Sequence, residues 1–438
     1  MTGPAIEDWE IERLRDAPRS RRSREHKSSA IFPHPRLCVF ALPATIAARF
    51  EAIGFAMQTS SVSRRSFVSA LAAGAIASAL RPSRADAAAD AQASWPGYSK
   101  ATVIDALGGP GNANKSDALL DAADLADVRS SGITAVNLTV GPVGSYAKDY
   151  DGAIEGIAHW DAEIAAHPDT LMRFSDARDF AEAKRSGRLA IIYGFQDATP
   201  FGENLDRLDT FRDLGLRIVQ LTYNRRNLVG DGCLEPGDAG LSLFGRDLVE
   251  RMNARDVLVD LSHCGRRTTD EAIALSKKPV AITHTGCAAI SDLPRNKPDA
   301  TLRRLADAGG VAGIYLMPYL RTSGQPMASD VIAHIEHALD VCGEDHVGIG
   351  TDGAISAVQL TDAYKKAFAD EIAARRKQGV SAPGETTAVY TFVPDLNTPR
   401  RFETIATLLS RRGKPDRVIE KVLGGNFLRL FAQTWPAT

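Results

Sequence analysis

The chain has 438 residues, 44% hydrophobic and 24% charged, a balance that allows a sizeable core and excludes a disordered or fibrous protein. Its formal net charge of −2 leaves no basic excess for nucleic acid or an anionic membrane surface. The cysteines Cys38, Cys233, Cys264, Cys287 and Cys342 show no CxxC spacing, which argues against a disulfide framework or a thiolate zinc site.

Residues 1–56 are basic and without sustained periodicity, and Met57 just beyond them reads as the natural start. The leader 1–56 is therefore expected to be an over-extended or disordered stretch. Arg64, Arg65 and Phe67 then precede a short apolar run ending at Leu80, and Ala85-Asp86-Ala87 offers small residues for cleavage. That order of charged, apolar and cleavage parts predicts a twin-arginine (Tat) signal over 57–87 and export of the folded chain to the periplasm. The apolar run is too short to span a membrane stably.

From residue 98 to 438 the pattern alternates. Apolar runs over 102–107, 133–141, 189–196, 216–224, 258–263, 280–285, 310–318 and 346–352 read as fully buried strands. Amphipathic stretches such as "DALLDAADLADVRSSG" and "FGRDLVERMNARD" separate them. Buried strands alternating with helices indicate a parallel sheet covered on both faces. The economical fold is a (β/α)8 TIM barrel, with an open doubly wound sheet as the alternative. No GxGxxG follows the first strand, which weakens a dinucleotide-binding reading.

In such a barrel the chemistry sits at the C-terminal ends of the strands. "LVDLSHCG" and "PVAITHTG" both finish on a histidine there, His263 and His284, and "GIGTD" brings Asp352 to the same rim. Two imidazoles facing a carboxylate suit zinc or a similar divalent ion. Gln196 and Asp197 end the third strand, Tyr223 and Asn224 the fourth. The charged, Gly-rich run 223–240 is expected to form a loop over the mouth. The long connection 353–400, with the helix "DAYKKAFADEIAARRKQG", is expected to cap the mouth or to form an oligomer contact.

Four segments, "GLSLFGRDLVERMNARDVLVDLSHCG", "KKPVAITHTGCAAISDLPRNKPDATLRRLADAGGVAGI", "DHVGIGTDG" and "LGGNFLRLF", resemble the membrane (renal) dipeptidase family of metallopeptidases in collinear order. The resemblance implies an amidohydrolase-type barrel that cleaves dipeptides at a two-zinc centre, and a homodimer. Carried over residue by residue, it makes His263 and His284 ligands of one zinc and Asp352 the proton shuttle. Arg295, with Asn296 beside it, would hold the substrate carboxylate.

The other half departs from the family. Where its first strand carries Asp-Gly-His-x-Asp, this chain reads "DALGG", so Leu107 and Gly109 replace two metal ligands. Gln196 replaces the bridging carboxylate, and Tyr223 replaces a substrate-binding histidine. Three outcomes are open: one ion on His263 and His284 with Gln196 or Asp352; replacement ligands from Asp105 or Asp197; or a non-catalytic exported binding protein with no metal. Thiol ligation by Cys264 or Cys287 is disfavoured, because small buried cysteines beside strands are commonplace.

Overall fold

A computed structural model describes residues 94–115, 119–144 and 149–435. The leader and the Tat segment lie outside the described residues.

Each of the eight apolar runs contains a strand: β1 (Ile104–Asp105), β2 (Ala135–Thr139), β3 (Leu189–Phe195), β4 (Leu216–Gln220), β5 (Leu258–Asp260), β6 (Ala281–Thr285), β7 (Val311–Ile314) and β8 (Val347–Ile349). They pair in parallel in sequence order. Ala106 N donates to Ile349 O at 3.0 Å across the β8–β1 seam, and Gly108–Gly109 pairs with Gly353–Ala354 just above it. That closure makes the sheet a barrel and rules out the open doubly wound alternative.

Helices alternate with the strands: α1 (Ala122–Ser131), α2 (Asp149–Ala166), α3 (Arg178–Ser186), α4 (Asp206–Asp213), α5 (Leu243–Ala254), α6 (Arg266–Leu275), α7 (Asp299–Asp307) and α8 (Ala328–Cys342). Their ends carry the expected signals. Asp121 and Asp124 form a capping box on α1, and Ser242 accepts from Gly245 N at the start of α5.

Every residue of these eight strands is buried except the half-buried Thr139, as a sheet covered on both faces requires. Alternate residues divide between two cores. Leu189, Ile191, Tyr193 and Phe195 pack against the helices, whereas Ala190 and Ile192 face inward with Ile104, Ile218, Leu258 and Val311. The inner core fills the N-terminal end, where Phe427, Phe431 and Trp435 plug the barrel.

Beyond β8 come α9 (Asp362–Gln378), α10 (Arg401–Arg411), α11 (Asp416–Glu420) and α12 (Asn426–Thr434). Thr361 caps α9, and left-handed Gly379 (φ 70°) ends it. Tyr364, Phe368 and Ile372, spaced four apart, form its buried stripe. A π-helical turn at Lys421–Gly425 joins α11 to α12 against β1, where a Cβ on Gly424 would meet Thr102 O at 2.5 Å. No described helix is long and apolar enough to cross a membrane.

Candidate active site

At the C-terminal ends of the strands lies a cleft of about 270 Å³. Gln196, Tyr223, His263 and Asp352 line it from the barrel, and Arg375 and Glu385 from the connection after β8. The connection therefore does cap the mouth.

His263 and His284 are fully buried, with ring centroids 4.9 Å apart. A register shift between Ile282 and Thr285 in the β6–β7 pairing bends the strand where His284 sits. Their neighbours set which nitrogen carries the proton. Asn224 Nδ2 donates to Val380 O, which turns its Oδ1 toward His263 Nδ1 at 2.6 Å. Nδ1 is therefore the protonated nitrogen, and Nε2 keeps a lone pair that accepts from Arg295 Nη2 at 2.9 Å. For His284, the Thr283 hydroxyl donates to Asp260 Oδ2 at 2.7 Å and accepts from Nδ1 at 2.9 Å. The lone pair of His284 Nε2 is buried and has no partner among the described residues. Burial, reinforced by the Arg295 charge, holds both imidazoles well below their ordinary pKa, so both are neutral at physiological pH.

Asp352 sits half-buried just past β8, with its backbone at φ 56° and its N–H donating to Leu107 O at 2.8 Å. The left-handed region is one that a short polar side chain tolerates and that clusters at functional sites. Burial pushes its carboxyl up to about 6, against the pull of the Arg295 and Arg375 charges. A carboxylate poised near neutrality suits proton transfer.

Gln196 Nε2 donates to Thr139 Oγ1 at 2.9 Å, which leaves Oε1 as the free end of the amide. Tyr223 is buried, and its ring stacks on His263 with centroids 4.2 Å apart. Arg295 is completely buried behind His263 and is absent from the cleft wall. Its Nη1 donates to Ser262 O, and among the described residues no carboxylate pairs with it. Asn296 departs from the expectation. Its Nδ2 donates to Ser291 O and Tyr319 O and its Oδ1 accepts from Tyr315, so it braces a loop instead of reaching the cleft.

A two-ion centre does not fit. Leu107 and Gly109 supply no donor, and their segment is zipped to the end of β8. A Cβ on Gly109 would meet Leu138 Cδ1 at 2.7 Å. The replacement ligands do not materialise either. Asp105 is bound to Thr351 N and Oγ1, and Asp197 accepts from Asn227 and is absent from the cleft wall. Cys264 and Cys287 are buried off the cleft wall. Among the described residues no cluster of three His, Cys, Asp or Glu side chains is arranged to hold a metal. What remains is the chemistry of one site: two Nε2 lone pairs with fixed tautomers and an amide oxygen. An ion there must take the His263 lone pair from Arg295.

Sequence reasoning missed the residues behind these groups. Asn224, Asp260 and Thr283 orient the imidazoles, as outer partners of metal-binding histidines usually do. Asp260 could have been found as the carboxylate two positions into the strand that ends on His263. Arg375 and Glu385 carried no spacing signal, because only the folded connection brings them to the cleft.

The profile of the membrane dipeptidase family, peptidase family M19, matches residues 100–380. The dipeptidase verJ of Clonostachys rogersoniana is 33% identical over 223 residues, 50% of this chain and 57% of that protein. The dipeptidase tcpJ of Claviceps purpurea is 32% identical over 221 residues, 49% and 52% of the two chains. The chain thus matches little more than half the length of these curated relatives. An amidohydrolase from Pseudomonas aeruginosa shares 31% identity at a TM-score of 0.67, over 78% of this chain and 98% of its own. A metallopeptidase from Rhodobacter sphaeroides, liganded with a phosphinate mimic of L-Ala-D-Ala, shares the fold at 20% identity and a TM-score of 0.61, over 76% and 99%. With the profile running through β1 to β8 and the histidine-bearing rim, this chain belongs to the membrane dipeptidase family of hydrolases.

Proposed function

We propose that the protein is an exported, periplasmic hydrolase of dipeptides or similar small amides that works with one metal ion. The observation that carries this reading is the pair of buried imidazoles, each with its Nε2 lone pair preserved by a hydrogen bond at Nδ1. His263, His284 and Gln196 would hold the ion, zinc being the natural choice for such donors. When bound, it supplies Lewis-acid polarisation of the scissile carbonyl. The chain's own groups do the rest. Asp352 takes a proton from the attacking water and returns it to the leaving amine. The Tyr223 phenol donates to the carbonyl oxygen as negative charge develops there. Arg295, buried without a carboxylate partner, favours an anionic substrate end. A homodimer, implied by the family resemblance, is part of the same reading.

The test is metal content by mass spectrometry on the chain without its signal, followed by hydrolysis of a dipeptide panel including L-Ala-D-Ala. About one ion per chain is expected, with metal and activity both lost when His263 and His284 become Ala. No metal after incubation with excess ion, and no hydrolysis, would overturn the proposal in favour of a non-catalytic binding protein on this scaffold.

A further inference from the structure

The cleft's roof makes a bond network that the reaction just described does not use. Glu385 is 5% exposed, and its carboxylate is saturated. It accepts from Arg375 Nε and Nη2, each at 2.8 Å, from Ser381 Oγ at 3.0 Å, and from the Tyr319 hydroxyl. Burial alone would raise its pKa, but the fork of Arg375 outweighs burial and holds the carboxyl below its usual value. Two parallel bonds to one carboxylate fix a guanidinium in plane and direction. The remaining nitrogen, Arg375 Nη1, donates to the Tyr223 hydroxyl at 3.2 Å.

That contact decides what the phenol can do. Its oxygen already accepts a hydrogen bond from a permanent cation, so its own hydrogen is turned elsewhere. Among the described residues no hydrogen bond gives that hydrogen a protein acceptor, and Tyr223, His263 and Asp352 line the same cleft. A phenol that accepts from guanidinium is also a stronger donor than a free one, because the cation drains charge from its oxygen. The ring is held from its other side by the stack on His263.

The geometry points to Arg375, locked by Glu385, as the positioning residue that aims the Tyr223 phenol at the substrate carbonyl. The connection after β8 is thereby part of the reaction apparatus and not only a cover. This inference rests on the hydrolase reading above. Arg375 lies just inside the end of the family match at 380, and Glu385 beyond it.

The experiment is a double-mutant cycle of Arg375→Gln and Tyr223→Phe on the metal-loaded protein. Its readouts are L-Ala-D-Ala kinetics and calorimetric binding of a phosphinate dipeptide mimic, with thermal melts confirming folding. Each single change is expected to lower kcat by roughly 10²-fold while moving KM little, as loss of one donor to a developing oxyanion does. The double variant should be no slower than Tyr223→Phe alone, and the mimic should lose affinity in parallel. Arg375→Lys, which keeps the charge but not the fork, should recover part of kcat. Losses that multiply in the double variant, or that fall on KM alone, overturn the role of Arg375 while leaving the hydrolase reading intact. A metal-loaded wild type that neither turns over the dipeptide nor binds the mimic overturns that reading, and the role of Arg375 with it.

Discussion

Asp352 gives the most direct test of the site's electrostatics. Its carboxyl is pushed up to about 6 by burial, with Arg295 and Arg375 opposing. As a general base it must be ionised in the free enzyme, so kcat/KM should rise with pH through that value. At pH 5 about one tenth of the molecules would carry the ionised form, and at pH 7 about nine tenths, so the rate should fall roughly tenfold between them. An aspartate at its ordinary value would leave the rate nearly flat over the same interval. The imidazoles, held well below their usual value, do not supply this limb. The assay is initial-rate hydrolysis of a dipeptide from pH 4.5 to 8 at saturating metal. Asp352→Asn should abolish turnover without unfolding the chain. A rate that stays constant down to pH 4.5, or an Asn variant of undiminished activity, would refute the assignment of Asp352 as the base.

Two further predictions concern groups that never touch substrate. Asp105, buried at the β8–β1 seam, is raised from 3.8 to about 7 by desolvation, despite its bonds to Thr351 and Leu107. The folded state therefore holds a proton there that the unfolded chain has already released. Stability should be greatest below pH 4 and decline by about 1.4 kcal/mol per pH unit up to about 7 from this group. Urea melts of Asp105→Asn should show that slope flattened, and an unchanged slope would count against the raised carboxyl. Asn224→Ala removes the acceptor that holds the proton on His263 Nδ1. Metal affinity by competition with a chelating dye should fall about 10- to 100-fold, with Asn224→Asp largely restoring it. Equal affinities would mean that the tautomer is set some other way.

The barrel was legible because its strands are buried on both faces and so read as continuous apolar runs, each bounded by a turn or a polar cluster. The rim was legible for the same reason. His263, His284 and Asp352 interrupt those runs at their C-terminal ends, where an apolar residue would otherwise continue the strand. Asn296 misled, because a polar residue beside a site arginine looks the same in sequence whether it faces ligand or braces its own loop. Only its bonds to Ser291, Tyr319 and Tyr315 separate the two cases. The charged helix over 362–378 was visible, but its use was not. Arg375 reaches Tyr223 across 152 positions, and no local period records such a pairing.

The altered half of the site is best understood through charge. Two adjacent dications need carboxylates between them, and a neutral amide at Gln196 offsets none of their repulsion. The segment that holds Leu107 and Gly109 is also closed by hydrogen bonds. Gly108–Gly109 pairs with Gly353–Ala354, Asp352 N bonds Leu107 O, and Asp105 is consumed by Thr351. Arg295 and Arg375 both act on Asp352, and Arg375 donates to the Tyr223 phenol. Here the seam is hydrogen-bonded, and over the cleft Arg375 is matched by Glu385.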